Sequence, residues 1–202
     1  MAVVCNKVRE GKKVRATDAT RTYHQSEIVT LIEKAAGGDF EAFGELYSTY
    51  LDRIYRYVFY QVKDKMTAED ITEEVFVKAW KAIGSCKGKE KTFLSWLYRI
   101  AYNHLINTVK YMKRFTPIEE VDFIDPKQRI DTEIEYKELL ETITCLPENQ
   151  KQVIILKFIE GLDNREISKI MGKNEGTIRI LQMRALNSIR QKMGDEEDGD
   201  KK

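Results

Sequence analysis

Proline is scarce in this chain, which has three prolines in 202 residues. All three, Pro117, Pro126 and Pro147, fall between residues 117 and 147. Proline inside a helix removes a hydrogen bond and clashes with the preceding turn. Long helices are therefore compatible with the sequence before Pro117 and after Pro147, and the segment between them is a candidate linker.

Cysteine is equally scarce, and its placement argues against a metal site. Cys5, Cys86 and Cys145 lie far apart, and neither His24 nor His104 stands near one of them. Zinc sites need ligands at short, paired spacings, which these residues lack. An odd number of dispersed thiols is typical of a reduced, cytoplasmic protein.

Long apolar runs are also missing. No segment approaches the length of a membrane span, and the N-terminus lacks the apolar core of a signal peptide. The sequence therefore predicts a cytoplasmic protein with no membrane insertion.

Enzymatic motifs are absent as well. The sequence contains no glycine-rich phosphate loop and no serine or cysteine paired with histidine and an acid. His104 and the carboxylates Asp70, Glu73 and Glu74 are the only groups that suggest acid–base chemistry, and no motif supports that interpretation. We expect no catalytic residues, no metal and no cofactor.

Charge is balanced overall, with a net value of +1, but it is unevenly distributed. Residues 86–115 carry seven bases and one acid, residues 116–135 seven acids and two bases, and residues 148–193 nine bases and five acids. Two basic blocks joined by an acidic segment indicate two polyanion-binding surfaces separated by a stretch that avoids polyanions.

Apolar residues recur at helical spacing from residue 27 onward, and no segment alternates as a strand would. Helices are predicted to start near Asp39, at Thr67 as an N-cap and at Thr92, and another follows Pro147 and ends at Gly161. We predict an all-α fold of two small helical domains joined by an extended acidic linker, the C-terminal domain being a helix-turn-helix. The expected parts are a flexible basic extension at 1–26, a helical domain at 27–112, the linker at 113–131, a second helical domain at 132–193 and a disordered acidic tail at 194–202.

The C-terminal part has the spacing of a helix-turn-helix. Gly172 can supply the turn, Ile167 and Met171 face inward before it, and Ile178 and Leu181 pack back after it. The second helix, predicted from Thr177 to about residue 193, carries bases and no acid. Such a helix suits the major groove of DNA, although a solvated face on an ordinary helical hairpin is the alternative.

Individual side chains on this helix have the chemistry for DNA contacts. Thr177 and Gln182 can hydrogen-bond to base edges, and Arg179 and Arg184 can reach guanine or phosphate.

A second candidate surface lies on the helix that begins near Thr92. Trp96, Arg99, Asn103 and Lys110 fall close to one line, and Tyr98 lies further round. The preceding loop adds three lysines, Lys87, Lys89 and Lys91. Aromatic rings that stack on unpaired bases and lysines that follow phosphates suit single-stranded DNA, with core packing of Trp96 as the alternative.

The helix from Thr67 has a different character. Its acids Asp70, Glu73 and Glu74 stand next to the apolar Val77 and Trp80. Acids repel DNA and suit a basic protein partner, so this helix is interpreted as a protein-docking surface.

Three segments in this order resemble the sigma-70 family of RNA polymerase sigma factors. Residues 69–80 (EDITEEVFVKAW) are similar to its polymerase-docking motif, residues 93–103 (FLSWLYRIAYN) to its promoter-melting helix, and residues 146–186 to its C-terminal domain. Because only these two domains are present, the resemblance points to the extracytoplasmic-function (ECF) class.

The resemblance implies a transcription initiation factor with three sets of contacts. Core polymerase would be bound through its largest and second-largest subunits by Asp70, Glu73, Glu74, Phe76, Val77 and Trp80. The minus-ten element, flipped out as single strand, would be held by Lys87, Lys89, Lys91, Trp96, Tyr98, Arg99, Asn103 and Lys110. The minus-thirty-five element would be read as duplex by Arg165, Thr177, Arg179, Ile180, Gln182, Met183 and Arg184.

Further implications of the resemblance are an anti-sigma factor as partner and an acidic linker that occupies the nucleic-acid channel of the polymerase until RNA displaces it. The helix predicted to start at Thr177 departs from the family pattern in two ways. Leu181 replaces a base common in the family and Gln182 an apolar residue, so the phase of the helix looks altered, and Ile180 replaces a small polar residue. A stand-alone helix-turn-helix regulator is the alternative function; it would explain the C-terminal half but not the basic–aromatic helix or the acidic linker.

Overall fold

The computed structural model describes residues 25–86, 90–115, 142–143 and 145–199. Within these residues the chain is helical and contains no strand. The helices are α1 (Gln25–Ala36), α2 (Phe40–Val62), α3 (Lys65–Ala82), α4 (Glu90–Phe115), α5 (Glu148–Ile154), α6 (Asn164–Met171) and α7 (Glu175–Gly199). A 3-10 turn, Ile83–Ser85, follows α3, and a π-helical turn, Ile155–Ile159, continues α5. The prediction of an all-α fold is confirmed.

Two helices of the N-terminal domain begin at aspartate caps. Asp39 caps α2 as expected, because its carboxylate accepts hydrogen bonds from the backbone amides of Glu41 and Ala42 at 3.0 and 3.1 Å. The prediction that α3 starts at Thr67 is wrong. Asp64 is the cap, and its carboxylate accepts hydrogen bonds from the hydroxyl of Thr67 and, at 2.8 Å, from the amide of Thr67. These two bonds lower the pKa of Asp64.

The N-terminal domain consists of α1 to α4, which pack on their neighbours along the chain. The predicted apolar stripes form its core, and its fully buried residues include Leu46, Ile54, Val75 and Leu97. Burial of each such side chain stabilises the fold by roughly 1.5–3 kcal/mol.

The C-terminal domain consists of α5, its π-helical continuation, α6 and α7. Ile155, Leu156, Ile167 and Ile178 are fully buried at its centre. Gly161 ends the first helix of this domain with φ of +73°, as expected from the sequence.

The two domains lie against each other. Helix α4 packs on α6, and α2 contacts the π-helical turn after α5. Helix α4 extends to Phe115, two residues past the predicted start of the linker at 113, and residues 116–141 lie outside the described residues. No helix in the described part of the chain is both long and apolar enough to cross a bilayer.

Candidate nucleic-acid interface

The helix-turn-helix of α6 and α7 is built from local caps and one turn. Asp163 and Glu166 form a reciprocal capping box at the start of α6. Gly172 follows α6 with φ of +63°, a conformation that favours glycine, so the predicted turn is confirmed.

The start of α7 differs from the prediction. The helix begins at Glu175, two residues before Thr177. The side-chain oxygen of Asn174 accepts hydrogen bonds from the amide and the hydroxyl of Thr177, at 2.8 and 3.0 Å. Thr177 is half-buried, and its hydroxyl proton is already donated to Asn174.

The outer face of α7 is basic and apolar. Arg179 and Arg184 are exposed, and between them Ile180 and Met183 leave 48% and 55% of their surface accessible. Arg179 lies 3.6 Å from Glu175 one turn earlier, in an exposed ion pair.

The helical phase on α7 is regular despite the unusual residues at 181 and 182. Leu181 packs against the core and Gln182 is half-buried, so the exposed face is formed by the residues around them. Arg165, on α6, is exposed.

Of the residues predicted to hold single-stranded DNA, the structure leaves three at least partly accessible on α4. Arg99 and Asn103 are exposed, and Trp96 is half-buried with its ring centroid 5.7 Å from that of Phe93. Trp96 therefore packs on the core with one side and leaves the other accessible. Lys87 and Lys89 lie outside the described residues, as do the side chains of Lys91 and Lys110.

Tyr98 does not belong to this exposed surface. Its ring is fully buried, and its hydroxyl donates a hydrogen bond to the carboxylate of Glu160 in the C-terminal domain. Burial and this carboxylate raise the pKa of Tyr98, so the phenol stays protonated. In this arrangement Tyr98 is a contact between domains and is inaccessible to DNA.

The predicted docking face lies on α3. Asp70 and Glu74 are exposed, Val77 leaves 39% of its surface accessible, and Glu73 is half-buried. Trp80 sits with its ring centroid 5.0 Å from that of Phe43.

The apolar part of this face extends beyond α3, because Phe40, at the start of α2, packs edge-on to Trp80 with ring centroids 5.6 Å apart. No motif in the sequence indicated that Phe40 belongs to this face. Phe76, in contrast, is 3% exposed and packs on Tyr47, so it is a core residue rather than a docking contact.

Glu74 has partners on both α3 and α4. Its carboxylate lies 3.5 Å from the ammonium of Lys78 and 3.0 Å from Nε2 of His104. Burial and the charge of Lys78 lower the pKa of His104. These contacts join α3 to α4, the helix that carries Asn103.

A polar cluster between the domains was not predicted from the sequence. The side chain of Glu160 is fully buried, and its two oxygens accept from the guanidinium of Arg56 at 2.9 and 3.1 Å. Arg53 donates to the backbone carbonyl of Glu160 at 3.0 Å. No spacing signal links these residues, because more than 100 positions separate Glu160 from either arginine.

No group of three or more potential metal ligands occurs among the residues that the structure describes. The surfaces on α3, α4 and α7 carry charged, aromatic and apolar side chains, which are suited to binding other macromolecules.

Comparison with known proteins agrees with this geometry. The family model for sigma-70 region 2 matches residues 46–115, and that for sigma-70 region 4 matches residues 136–189. The ECF RNA polymerase sigma factor BldN of Streptomyces coelicolor is 32% identical over 178 residues, covering 85% of this chain and 67% of that protein. The ECF RNA polymerase sigma-E factor of Escherichia coli is 30% identical over 178 residues, covering 81% of this chain and 92% of that protein.

Solved structures show the same fold at lower identity. CnrH, in complex with the cytosolic domain of CnrY, matches with a TM-score of 0.65 and 21% identity over 84% of this chain and 98% of that one. The sigma factor RpoE in complex with the anti-sigma factor NepR from Bartonella quintana also matches with a TM-score of 0.65, at 22% identity, over 74% of this chain and 94% of that one. With two family models in the expected order and relatives aligned over most of its length, the chain belongs to the ECF class of RNA polymerase sigma factors.

Proposed function

We propose that this sigma factor binds core RNA polymerase through α3 and reads promoter DNA with two separate surfaces. Helix α4 holds the unpaired minus-ten strand, and the exposed face of α7 reads the minus-thirty-five duplex. The observation that carries the proposal is this face of α7, which follows a helix-turn-helix and, from residue 176 to residue 192, contains no acid.

Each side chain on the face of α7 has a matching groove chemistry. Arg179 and Arg184 can pair with guanine edges or phosphates, and Ile180 and Met183 present apolar surface of the kind that contacts thymine methyl groups. The capped start of α7 directs these residues into the major groove, as in other helix-turn-helix proteins.

On α4, the accessible side of Trp96 is positioned to stack on an unpaired base, and Asn103, two turns later, can hydrogen-bond to one. Arg99 lies between them and can hold a phosphate. Strand opening then draws on the binding energy of the captured base, and the polymerase supplies the catalysis. The sigma factor itself is proposed to have no enzymatic activity and to act in the cytoplasm.

The face of α3 is proposed to dock a basic surface of the polymerase. Asp70 and Glu74 supply the charge, and Phe40, Val77 and Trp80 supply an apolar centre. Two of the similar solved structures are complexes with a partner protein, and one of these partners is named an anti-sigma factor. We therefore propose that an anti-sigma factor also binds this chain.

Core binding is tested with Asp70→Lys, because Asp70 is exposed and α3 retains its caps. Reversal of this charge should weaken core polymerase capture by at least about tenfold, the scale of one interfacial charge pair, and leave the far-ultraviolet circular dichroism unchanged. Glu33→Lys, an equal change on the exposed side of α1, is the control. Equal capture of both variants would contradict the docking assignment.

Promoter reading is tested by run-off transcription on genomic fragments with purified core polymerase, alongside duplex binding by the chain alone. A sigma factor should direct specific initiation and bind duplex only with the core. Tight, sequence-specific duplex binding without polymerase would instead favour a stand-alone helix-turn-helix regulator.

A further inference from the structure

The contact between the two domains is centred on a single buried carboxylate. Glu160 accepts two hydrogen bonds from Arg56, lies 3.6 Å from the guanidinium of Arg53 and accepts from the hydroxyl of Tyr98. All three partners belong to the N-terminal domain. The carboxylate of Glu160 is fully buried, whereas the side chains of Arg56 and Arg53 are 45% and 37% exposed. Hydrogen bonds between charged groups are stronger and more directional than those between neutral groups.

The backbone before Glu160 adopts an unusual conformation. Residues Ile155–Ile159 form a π-helical turn, and the amide of Glu160 donates to the carbonyl of Ile155 at 3.0 Å. A π-turn inserts an extra residue into the helical ladder and so changes the direction of the side chains that follow. Isolated π-turns are uncommon and occur often at functional sites. Here the turn immediately precedes the buried carboxylate.

Other polar bonds join the same two surfaces. The hydroxyl of Tyr57 donates to the side-chain oxygen of Gln152 at 2.5 Å, and both residues are buried. The ammonium of Lys151 lies 3.5 Å from the backbone carbonyl of Gln61. Interfaces between domains that depend on polar contacts generally permit relative motion.

With its two domains packed together, which we call the closed form, the molecule is too short to span a promoter. The minus-ten and minus-thirty-five elements are about 25 base pairs apart, or ~85 Å at the rise of B-form DNA. A compact chain of this length has a radius of gyration of about 17 Å and a diameter of about 45 Å. Helices α4 and α7 cannot reach both elements while the domains remain packed together.

We propose that Glu160 is a latch, an acidic group of the C-terminal domain whose docking site is the Arg53, Arg56 and Tyr98 face of the N-terminal domain. The latch holds the free sigma factor closed, and its release is required before the two DNA-reading surfaces can separate. This inference rests on the proposed function of α4 and α7. Any partner that binds only the open form has its apparent affinity reduced by the fraction of molecules that are open.

The latch is tested by energy transfer between dyes at Glu33→Cys on α1 and Asn187→Cys on α7, both exposed positions. The three native cysteines are replaced by serine in this background. Free wild-type protein should show high transfer, and binding of core polymerase should lower it. Glu160→Gln keeps the shape of the side chain but removes its charge. It should raise the open fraction of the free protein by about tenfold and strengthen core binding by a similar factor.

Two further variants identify the contact responsible. Arg56→Gln alters the other side of the same pair at a residue whose side chain is 45% exposed, so it should leave the fold intact even where Glu160→Gln does not. The double variant should open about as far as the more open of the two single variants, and less than the product of their separate effects, because both substitutions remove the same interaction. Glu175→Gln removes an acid paired within α7 and should leave the transfer unchanged.

Equal transfer in the free and polymerase-bound wild-type protein would overturn the proposal. Unchanged transfer in both Arg56→Gln and Glu160→Gln would do the same. The proposed function would fail in a different measurement, if the wild-type chain did not bind core polymerase. Closure is measured in the free protein and does not depend on that result.

Discussion

Asn103 is the residue whose replacement best separates strand opening from folding. It is exposed on α4, so Asn103→Ala creates no cavity and should change the free energy of unfolding by less than about 0.5 kcal/mol. Loss of one contact to an unpaired base should raise the free energy of open-complex formation by ~1–3 kcal/mol. Permanganate reactivity of unpaired thymines in the minus-ten element measures this loss.

A promoter that is already unpaired across the minus-ten element is the control for Asn103→Ala. It needs no energy of strand separation, so it should recover at least part of the activity. Wild-type thymine reactivity on the duplex promoter would remove Asn103 from the opening step and leave α4 as a packing helix.

Replacement of Arg184 tests whether the exposed face of α7 reads duplex DNA. Arg184→Ala should weaken the promoter complex by ~1–3 kcal/mol and change sequence preference if the guanidinium contacts a base edge. Loss that is uniform across sequences would mark a phosphate contact. Arg190→Ala, an equal loss of charge at an exposed position on another side of α7, is the control, and selection from a randomised minus-thirty-five library is the measurement. Wild-type affinity and preference for Arg184→Ala would place the reading face elsewhere.

The turn between α6 and α7 can be tested with a pair of glycine substitutions that should act in opposite directions. Gly172 has φ of +63°, and a Cβ there would meet no atom within 4 Å. Gly172→Ala therefore costs backbone energy alone, about 1–2 kcal/mol. Gly44, inside α2, also has free space around a new Cβ, and Gly44→Ala should stabilise the protein by about 0.5–1 kcal/mol. Denaturant unfolding measures both, and a neutral or stabilising Gly172→Ala would contradict the strained turn.

The caps and the turn show why the ends of several helices could be predicted from the sequence. Gly172 and Asp39 act on amides and dihedrals within a few residues, so their effect is present in the local pattern. The predicted start of α3 at Thr67 was wrong for an equally local reason, since both Asp64 and Thr67 can cap a helix and only the backbone path of this chain distinguishes them.

At the scale of the whole molecule, closure depends on the segment that joins the domains. The effective concentration of one domain near the other falls roughly as the −3/2 power of linker length. A flexible glycine–serine insert that doubles the predicted linker at 113–131 should therefore lower the closure constant by about threefold. The measurement is the energy transfer described above, made in the Glu160→Gln background, where open molecules are populated. An unchanged open fraction would show that the linker does not set the equilibrium.

The helices, the helix-turn-helix and the family could be predicted before the structure, because they depend on periodicity, turn residues and short motifs. The exposure of Arg99 and Asn103 on α4 could be predicted in the same way, because it follows from helical geometry.

Tertiary packing was needed to show which aromatic residues remain accessible and how the two domains meet. Phe76 and Tyr98 match the family motifs as well as Val77 and Trp96 do, yet the first pair is buried. Tyr98 is covered by a carboxylate 62 residues away, and Arg56 is paired with one 104 residues away. Burial of a side chain is a property of what packs over it, and contacts across such distances leave no periodic trace in a single sequence.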